Sequence, residues 1–449
     1  MKKIFAIIIC LVCCSIVAAQ PKYTLEQILD SALHNNIAIR NAQLGIEAAQ
    51  QQRKEAFTKY FPSVSAAGVW FNATKDMAKM TVNPGEMLSP QAVQDLAEVL
   101  PASALAALAT PTSITMLRKG VIGTVSAIQP VFAGGQIVNG NRLAKVGEDV
   151  SKIQLELSEN EVEKTAEQYF WQLASVQEKL KTILAAEQLL GDIHNDVDVA
   201  VRAGVAMPID MLQVQLRENE IASQKLKIEN AITLVRMLLG QYCGLTHDTA
   251  FEIVVPDMNQ PENILPTSIE EGQEVKLLPE YQLLDKQVEA AKLQRKLAVG
   301  QNLPSVGVGV GYNYHNLLDD DRSFGLVFAT VNIPISDWWG GSHAIKRKKI
   351  EVQKAEEQLE DNTQLLQIRM QNAWNGVQES YQQLLLAQRS IEQAQENLRL
   401  NRNYYNAGTS KMSDLLQAQL LFQQAQDKRT DAFSDYHNKL LEYKHSIGQ

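Results

Sequence analysis

Arg202-Ala203-Gly204, followed by Asp210-Met211-Leu212-Gln213-Val214-Gln215-Leu216, is written again 204 residues later as Asn406-Ala407-Gly408, followed by Asp414-Leu415-Leu416-Gln417-Ala418-Gln419-Leu420. A phrase that returns at a fixed spacing marks one structural unit used twice. Upstream, Glu47-Ala48-Ala49, Gln52-Arg53-Lys54 and Tyr60-Phe61-Pro62-Ser63 return as Glu289-Ala290-Ala291, Gln294-Arg295-Lys296 and Asn302-Leu303-Pro304-Ser305, all at a spacing of 242. Between these blocks, Gln129-Pro130-Val131-Phe132-Ala133-Gly134-Gly135 resembles Ile333-Pro334-Ile335, which leads through Trp338-Trp339 to Gly340-Gly341 at a spacing of about 206. The fall of 36 places one long insertion in the first half, between residues 71 and 119.

Each half then reads helix, Pro-terminated strand, loop, strand, Gly-Gly, very long helix, Gly turn, helix. Residues 20–241 form the first repeat, 242–267 a connector and 268–449 the second repeat. Residues 1–19 are set apart as a signal peptide: Lys2 and Lys3 precede an apolar run over 4–17, and Val17-Ala18-Ala19 supplies small residues for cleavage before Gln20. Acylation at Cys14 is the other reading of this segment, although Cys13 stands where Gly, Ala or Ser is usual. Cleavage leaves Cys243 as the one thiol, which excludes an intramolecular disulfide framework.

Capping boxes open both halves, at Thr24 with Gln27 and at Ser268 with Glu271. Both short helices break and restart, near Asn36 and at Leu278-Pro279. The stretches 137–201 and 342–405 contain no proline, and in the second Val352, Leu359, Leu366, Ala373, Val377, Leu384, Ala387 and Ile391 recur at steps of three, four and seven. At 1.5 Å per residue such a helix runs for about 100 Å, which no compact globule holds. The segments 37–60 and 210–241 give about 36 Å and about 48 Å, so that end to end they line most of one long helix. Independent antiparallel hairpins are the other arrangement open to these helices.

Four segments carry strand character: 63–72, 121–131, 305–315 and 324–335. In the third, Val306, Val308, Val310, Tyr312 and Tyr314 alternate with Gly307, Gly309, Gly311 and Asn313, giving one greasy and one bare or polar face. About ten residues is the length a tilted strand needs to cross a bilayer core. After the signal no run of eighteen apolar residues occurs, so entry into a membrane requires a closed barrel. Four strands cannot close one, and several chains must contribute. Trp338 and Trp339 suit an interfacial aromatic belt or packing on the nearby helix.

The duplicated order, the Gly turns with an Asp six residues later, and the phrase Thr24-Leu25-Glu26-Gln27-Ile28-Leu29-Asp30-Ser31-Ala32-Leu33-His34-Asn35-Asn36 resemble the TolC-like outer-membrane efflux proteins over essentially the whole mature chain. The resemblance implies an α+β membrane protein. Its homotrimer joins a twelve-stranded outer-membrane barrel to a coiled-coil tunnel in the periplasm. The tunnel meets a periplasmic adaptor and an inner-membrane pump that supplies the energy. Adaptor contact is implied at Gly204, Val205, Gly408 and Thr409. A tip gate is implied at Tyr405, Lys411 and Asp414, with Gln417 in place of the family's second acid. Asp210 lies off the gate pattern and suits a helix-dipole partner.

The formal charge of -9 leaves no basic field for nucleic acid. Seven scattered His, no Cys pair, no P-loop Lys-Ser/Thr and no Gly-x-Ser-x-Gly elbow point away from an enzyme, a metal or a cofactor. Cys243 reads as a small buried apolar residue. The open alternatives are a periplasmic coiled-coil scaffold without a pore and the outer-membrane duct of a type I protein secretion system. A scaffold has no need of alternating strands. The segment 73–118 is long for a hairpin loop, with a helix opening at Ser89-Pro90 and a small apolar stretch over 102–109.

Overall fold

A computed structural model describes residues 21–75, 77–116, 119–245, 251–255, 274–317, 321–335 and 337–448. The signal peptide, Cys14 and the capping box at Ser268 lie outside these residues. In chain order the elements are β1 (Lys22–Tyr23), α1 (Leu25–Asn35), α2 (Ile37–Thr58), β2 (Ser63–Asn72), β3 (Ala78–Val82), α3 (Pro90–Val99), α4 (Ala102–Ala109), β4 (Thr112–Met116), β5 (Lys119–Ala133), α5 (Gln136–Arg202), α6 (Pro208–Tyr242), β6 (Glu252–Ile253), α7 (Pro279–Gln301), β7 (Ser305–Asn316), β8 (Asp321–Asn332), α8 (Asp337–Asn406) and α9 (Met412–Ser446). Two compact units divide the chain: one takes the residues up to Ala49 with Gly147–Glu289 and Lys354–Gln449, the other Gln50–Val146 with Ala290–Gln353.

The first unit is helical. Thr24 caps α1 as expected: its Oγ1 accepts from the Gln27 amide at 3.4 Å, and Gln27 Oε1 accepts from the Thr24 amide at 3.0 Å. The break at Asn36 has a chemical cause. Asn36 Oδ1 accepts from the Ala38 amide at 2.8 Å and restarts the chain as α2, while its Nδ2 donates to the Tyr242 carbonyl at 3.1 Å. Ser31 Oγ and Asn35 Nδ2 donate to the Cys243 carbonyl at 3.0 and 3.3 Å. Carbonyls left without partners at the end of α6 are thus satisfied by the joint between α1 and α2. Cys243 itself is buried, and burial pushes its thiol up to about 12.

The apolar stripe expected along α8 is the buried one: Val352, Leu366, Ala373, Val377, Leu384 and Ala387 are all inside. Phe170, Trp171, Leu239, Phe433 and Tyr436 share one core with Ala373, Val377 and Leu384, while Leu366 packs with Val275 and Leu278. A second cluster gathers Ile183, Leu190, Val197, Val214, Ile221, Met412 and Leu415 near the helical turns. Between α6 and α9 the core turns polar. Arg217, 7% exposed, donates Nε to Gln419 Oε1 at 3.1 Å, Nη2 to Gln423 Oε1 at 2.8 Å and Nη1 to Glu220 Oε2 at 2.8 Å. Gln423 Nε2 in turn donates to Gln224 Oε1 at 2.8 Å.

His437 stacks on Trp171 with ring centroids 4.0 Å apart, and burial, with Lys444 as the lesser cause, lowers its pKa to about 4. The unfolded chain takes up this proton near pH 6.5 and the folded one only near pH 4, so the contribution is complete above about pH 6.5 and lost as pH falls through that window. The loss amounts to about 3 kcal/mol at most. Urea unfolding at pH 7 and pH 4.5 should show His437→Phe, which keeps a stacked ring, losing less stability on acidification than the parent. Equal losses would remove His437 as the cause.

The second unit holds a four-stranded antiparallel sheet in the order β2-β5-β7-β8. Three of the expected strands appear nearly as read. The fourth spans Asp321–Asn332 instead of 324–335, because its register ends where Asn332 meets Ser305, and Pro334 has no N–H to extend the ladder. One face carries Val308, Val310, Tyr312 and Tyr314 beside Val125 and Val327. The other carries Gly307, Gly309 and Gly311, Ser65 facing Ser126, and Thr124 donating to Asn313 Oδ1 at 2.8 Å. This second face is not uniformly wet, for β8 adds Phe324, Leu326 and Phe328 to it.

Gly134 and Gly135 make a positive-φ turn, at 59° and 76°, between β5 and α5. Their counterparts Gly340 and Gly341 do not. Both lie inside α8, which begins at Asp337, and Gly341 is pressed against the Asn302 side chain where no Cβ fits. In the insertion, Ser89 caps α3 by accepting from the Ala92 amide at 3.2 Å, as its sequence promised. β3 pairs with β4 to close a hairpin that no local pattern announced.

Candidate functional site at the helical turns

Two turns join the long helices to their return helices, and both close in the same way. Gly204 sits at φ 75° and Gly408 at φ 71°, a region open to Gly and costly for other residues. Val205 N donates to Ala200 O at 2.9 Å and Gly204 N to Val201 O at 3.0 Å; Thr409 N donates to Tyr404 O and Gly408 N to Tyr405 O, each at 2.9 Å. These pairs of bonds satisfy the last carbonyls of α5 and α8.

The next helix starts by the same device in both halves. Asp210 Oδ2 accepts from the Met207 amide at 3.1 Å, and Asp414 Oδ2 accepts from the Lys411 amide at 3.3 Å and from Ser410 Oγ at 3.1 Å. Each carboxylate faces the positive end of its own helix. Asp210 thus takes the helix-end role its position suggested. Asp414, Gln417 and Lys411 are exposed, and the hydrogen bonds of Asp414 are all local. Tyr405 is drawn elsewhere: it packs in the cluster of Leu190, Val197 and Met412, and its hydroxyl pKa is raised by burial and by the Asp210 and Asp196 carboxylates. Within one chain the structure brings Tyr405 to the first half's acids.

Chemically the turns differ. Val205 and Met207 are 82% and 66% exposed, with Ile209, Leu212 and Leu216 also open to solvent beyond them. The second turn presents Thr409, Ser410 and Lys411 instead. The contrast was legible in the residues at Val205-Ala206-Met207 and Thr409-Ser410-Lys411, yet the shared Gly and Asp obscured it. The Arg217 seam, below the turns along α6 and α9, had no sequence signal beyond one Arg among glutamines.

In the other unit Trp338 donates Nε1 to the Asn302 carbonyl at 3.0 Å, while Trp339 stays exposed. One tryptophan is tied to the chain by that bond while still 47% exposed, and its neighbour is 81% exposed. Among the described residues no helix is long and apolar enough to cross a membrane, and no three His, Cys, Asp or Glu are placed to hold a metal ion.

Residues 280–449 match the outer membrane efflux protein family. Nearly the whole chain shares the fold of efflux-type outer-membrane channels. The outer membrane channel CmeC of Campylobacter jejuni superposes with a TM-score of 0.75 at 14% identity, over 94% of this chain and 85% of its own. The outer membrane protein VceC of Vibrio cholerae gives 0.71 at 16%, over 94% and 96%. CusC, known for transmembrane channel formation, gives 0.78 at 13%, over 97% and 95%. No curated protein matches by sequence. The resemblance to TolC-like efflux proteins read from the repeated turns is thereby borne out, and the four-stranded sheet and paired helices belong to the efflux-channel fold.

Proposed function

We propose that this chain is the outer-membrane exit duct of a tripartite export system. Three copies close one barrel of twelve strands, four from each, and continue as a helical tunnel in the periplasm. The observation that carries this reading is the sheet itself. It ends in two edge strands, β2 and β8, that have no second neighbour among the described residues, and it turns one apolar face outward. Unpaired edges are not tolerated in lipid, and pairing β8 of one copy with β2 of the next removes them. The duct is passive, and its partners are a periplasmic adaptor and an inner-membrane pump. The adaptor engages the turns at Gly204, Val205, Gly408 and Thr409. Trp339, free at the foot of the sheet, lies at the level of lipid headgroups. The halves 20–241 and 268–449 act as pseudo-equivalent repeats.

At the narrow end three copies of Asp414 converge near the axis, where mutual repulsion favours cation binding. Asp414→Asn isolates this charge, because asparagine keeps an acceptor oxygen for the Lys411 amide. Single-channel recording of purified protein in a planar bilayer should give small, discrete, cation-favouring steps that change in size or selectivity in the variant. Steps indifferent to the substitution would place the gate elsewhere. No current from well-folded protein would leave a non-conducting scaffold.

A further inference from the structure

The duct reading leaves open which solutes the barrel wall favours, and the register of the sheet bears on this. Opposite strands place Phe324, Leu326 and Phe328 of β8 on the same face as Gly307, Gly309 and Gly311. Added Cβ atoms report how that face is curved. At Gly120, Gly307 and Gly309 they would meet neighbouring side chains at 2.8, 3.0 and 2.5 Å and at Gly311 one at 3.7 Å, whereas at Gly68, Gly123 and Gly325 on the other face nothing lies nearer than 3.8 Å. Crowding on one face and open space on the other mark the glycine face as concave. In a closed barrel the concave face is the interior.

That interior is mixed on β2 and β5, where Ser65, Ser126 and Thr124 alternate with Val69, Phe71, Ile122 and Ile128, and continuously apolar over three successive inward positions of β8, where Phe324 and Leu326 stay 48% and 36% exposed. Phe328 is committed to covering Gly309, so the other two are the free members. Resting on the trimeric duct proposed above, we infer that the lumen carries three apolar stripes, one per chain, that contact organic solutes bearing aromatic or alkyl groups as they leave, with the serines and threonine hydrating their polar parts. An interior built only to pass ions has no use for exposed Phe and Leu, since burying apolar solute against them is their one favourable contact.

The test uses the full channel in a planar bilayer, with solute added on the barrel side and potassium carrying the current. Benzyltrimethylammonium should interrupt the current at a concentration roughly three- to tenfold lower than tetramethylammonium, which has the same charge and no ring. In Phe324→Ser/Leu326→Ser the ratio should fall at least twofold with potassium conductance unchanged, and Val327→Ser on the convex face should keep it. Leu326→Asn alone serves if the double variant does not assemble, with a partial fall expected. A ratio near one in the unaltered channel, or one that survives these substitutions, overturns the inference and leaves the duct standing. Absence of any current removes the duct and this inference together.

Discussion

Gly134→Ala is expected to destabilise the protein by about 2–5 kcal/mol. Two costs add. Gly134 has φ 59°, where a residue with a Cβ pays about 1–2 kcal/mol. The new methyl would also overlap the carbonyl group and Cα of Gly300, and main chain cannot swing aside as a side chain does. Forcing atoms into filled space costs about 1–3 kcal/mol. Gly300→Ala separates the terms: Gly300 lies within α7, and its added Cβ overlaps the Gly134 carbonyl without any positive-φ penalty. Gly140→Ala, in open space within α5, is the control and should be neutral or stabilising by up to about 1 kcal/mol. Denaturant unfolding in detergent, followed by circular dichroism at 222 nm, ranks the three. If Gly134→Ala unfolds with Gly140→Ala, the close approach of Gly134 and Gly300 has been misjudged.

Arg217→Met is the second large effect, with an expected cost of about 2–4 kcal/mol. Methionine keeps much of the stem's volume but leaves the Gln419 and Gln423 carbonyl oxygens buried with their Arg donors gone. An unsatisfied buried acceptor costs about 1–3 kcal/mol. Replacing the acceptors as well should return part of the loss, so Arg217→Met/Gln419→Leu/Gln423→Leu is expected to be more stable than Arg217→Met alone. This sign follows from the asymmetry between breaking a buried polar network and replacing it whole. Additive losses in the triple variant would show that the seam contributes packing only.

Periodicity carried most of the fold. Absence of proline defined 137–201 and 342–405, with a heptad stripe in the second, and the helices end within a few residues of those limits. β2 was read as 63–72 after Pro62, and it runs as read. What escaped has a common cause: it depends on contacts far apart in the chain. β1 and β6 are two residues each and pair across more than 200 positions. The β3–β4 hairpin closes around two helices, so no turn signal joins its strands. Gly340-Gly341 was placed ahead of the long helix like Gly134-Gly135, yet both lie inside α8, where Gly341 is in close contact with Asn302. At the turns, Gly204, Gly408, Asp210 and Asp414 were legible because a helix end imposes local rules. The Tyr405 surroundings were not, because Asp196 and Asp210 come from the other half of the chain.

The joint at Asn36 has one more consequence, which concerns length. α6 ends where α1 gives way to α2, and the seal is made by side chains of Ser31, Asn35 and Asn36 on two carbonyls. Such a seal is a splice whose position is set by how long α5 and α6 are below it. Seven residues added to each of α5 and α6, with the same in α8 and α9, would extend the paired helices by about 10 Å and return every buried side chain to its own face. Seven added to α5 alone would shift α6 against the splice and strip both carbonyls of their donors. The helical unit is therefore adjustable in whole heptads, two helices at a time, so its length is a quantity that paired insertions can change while every buried side chain keeps its neighbours.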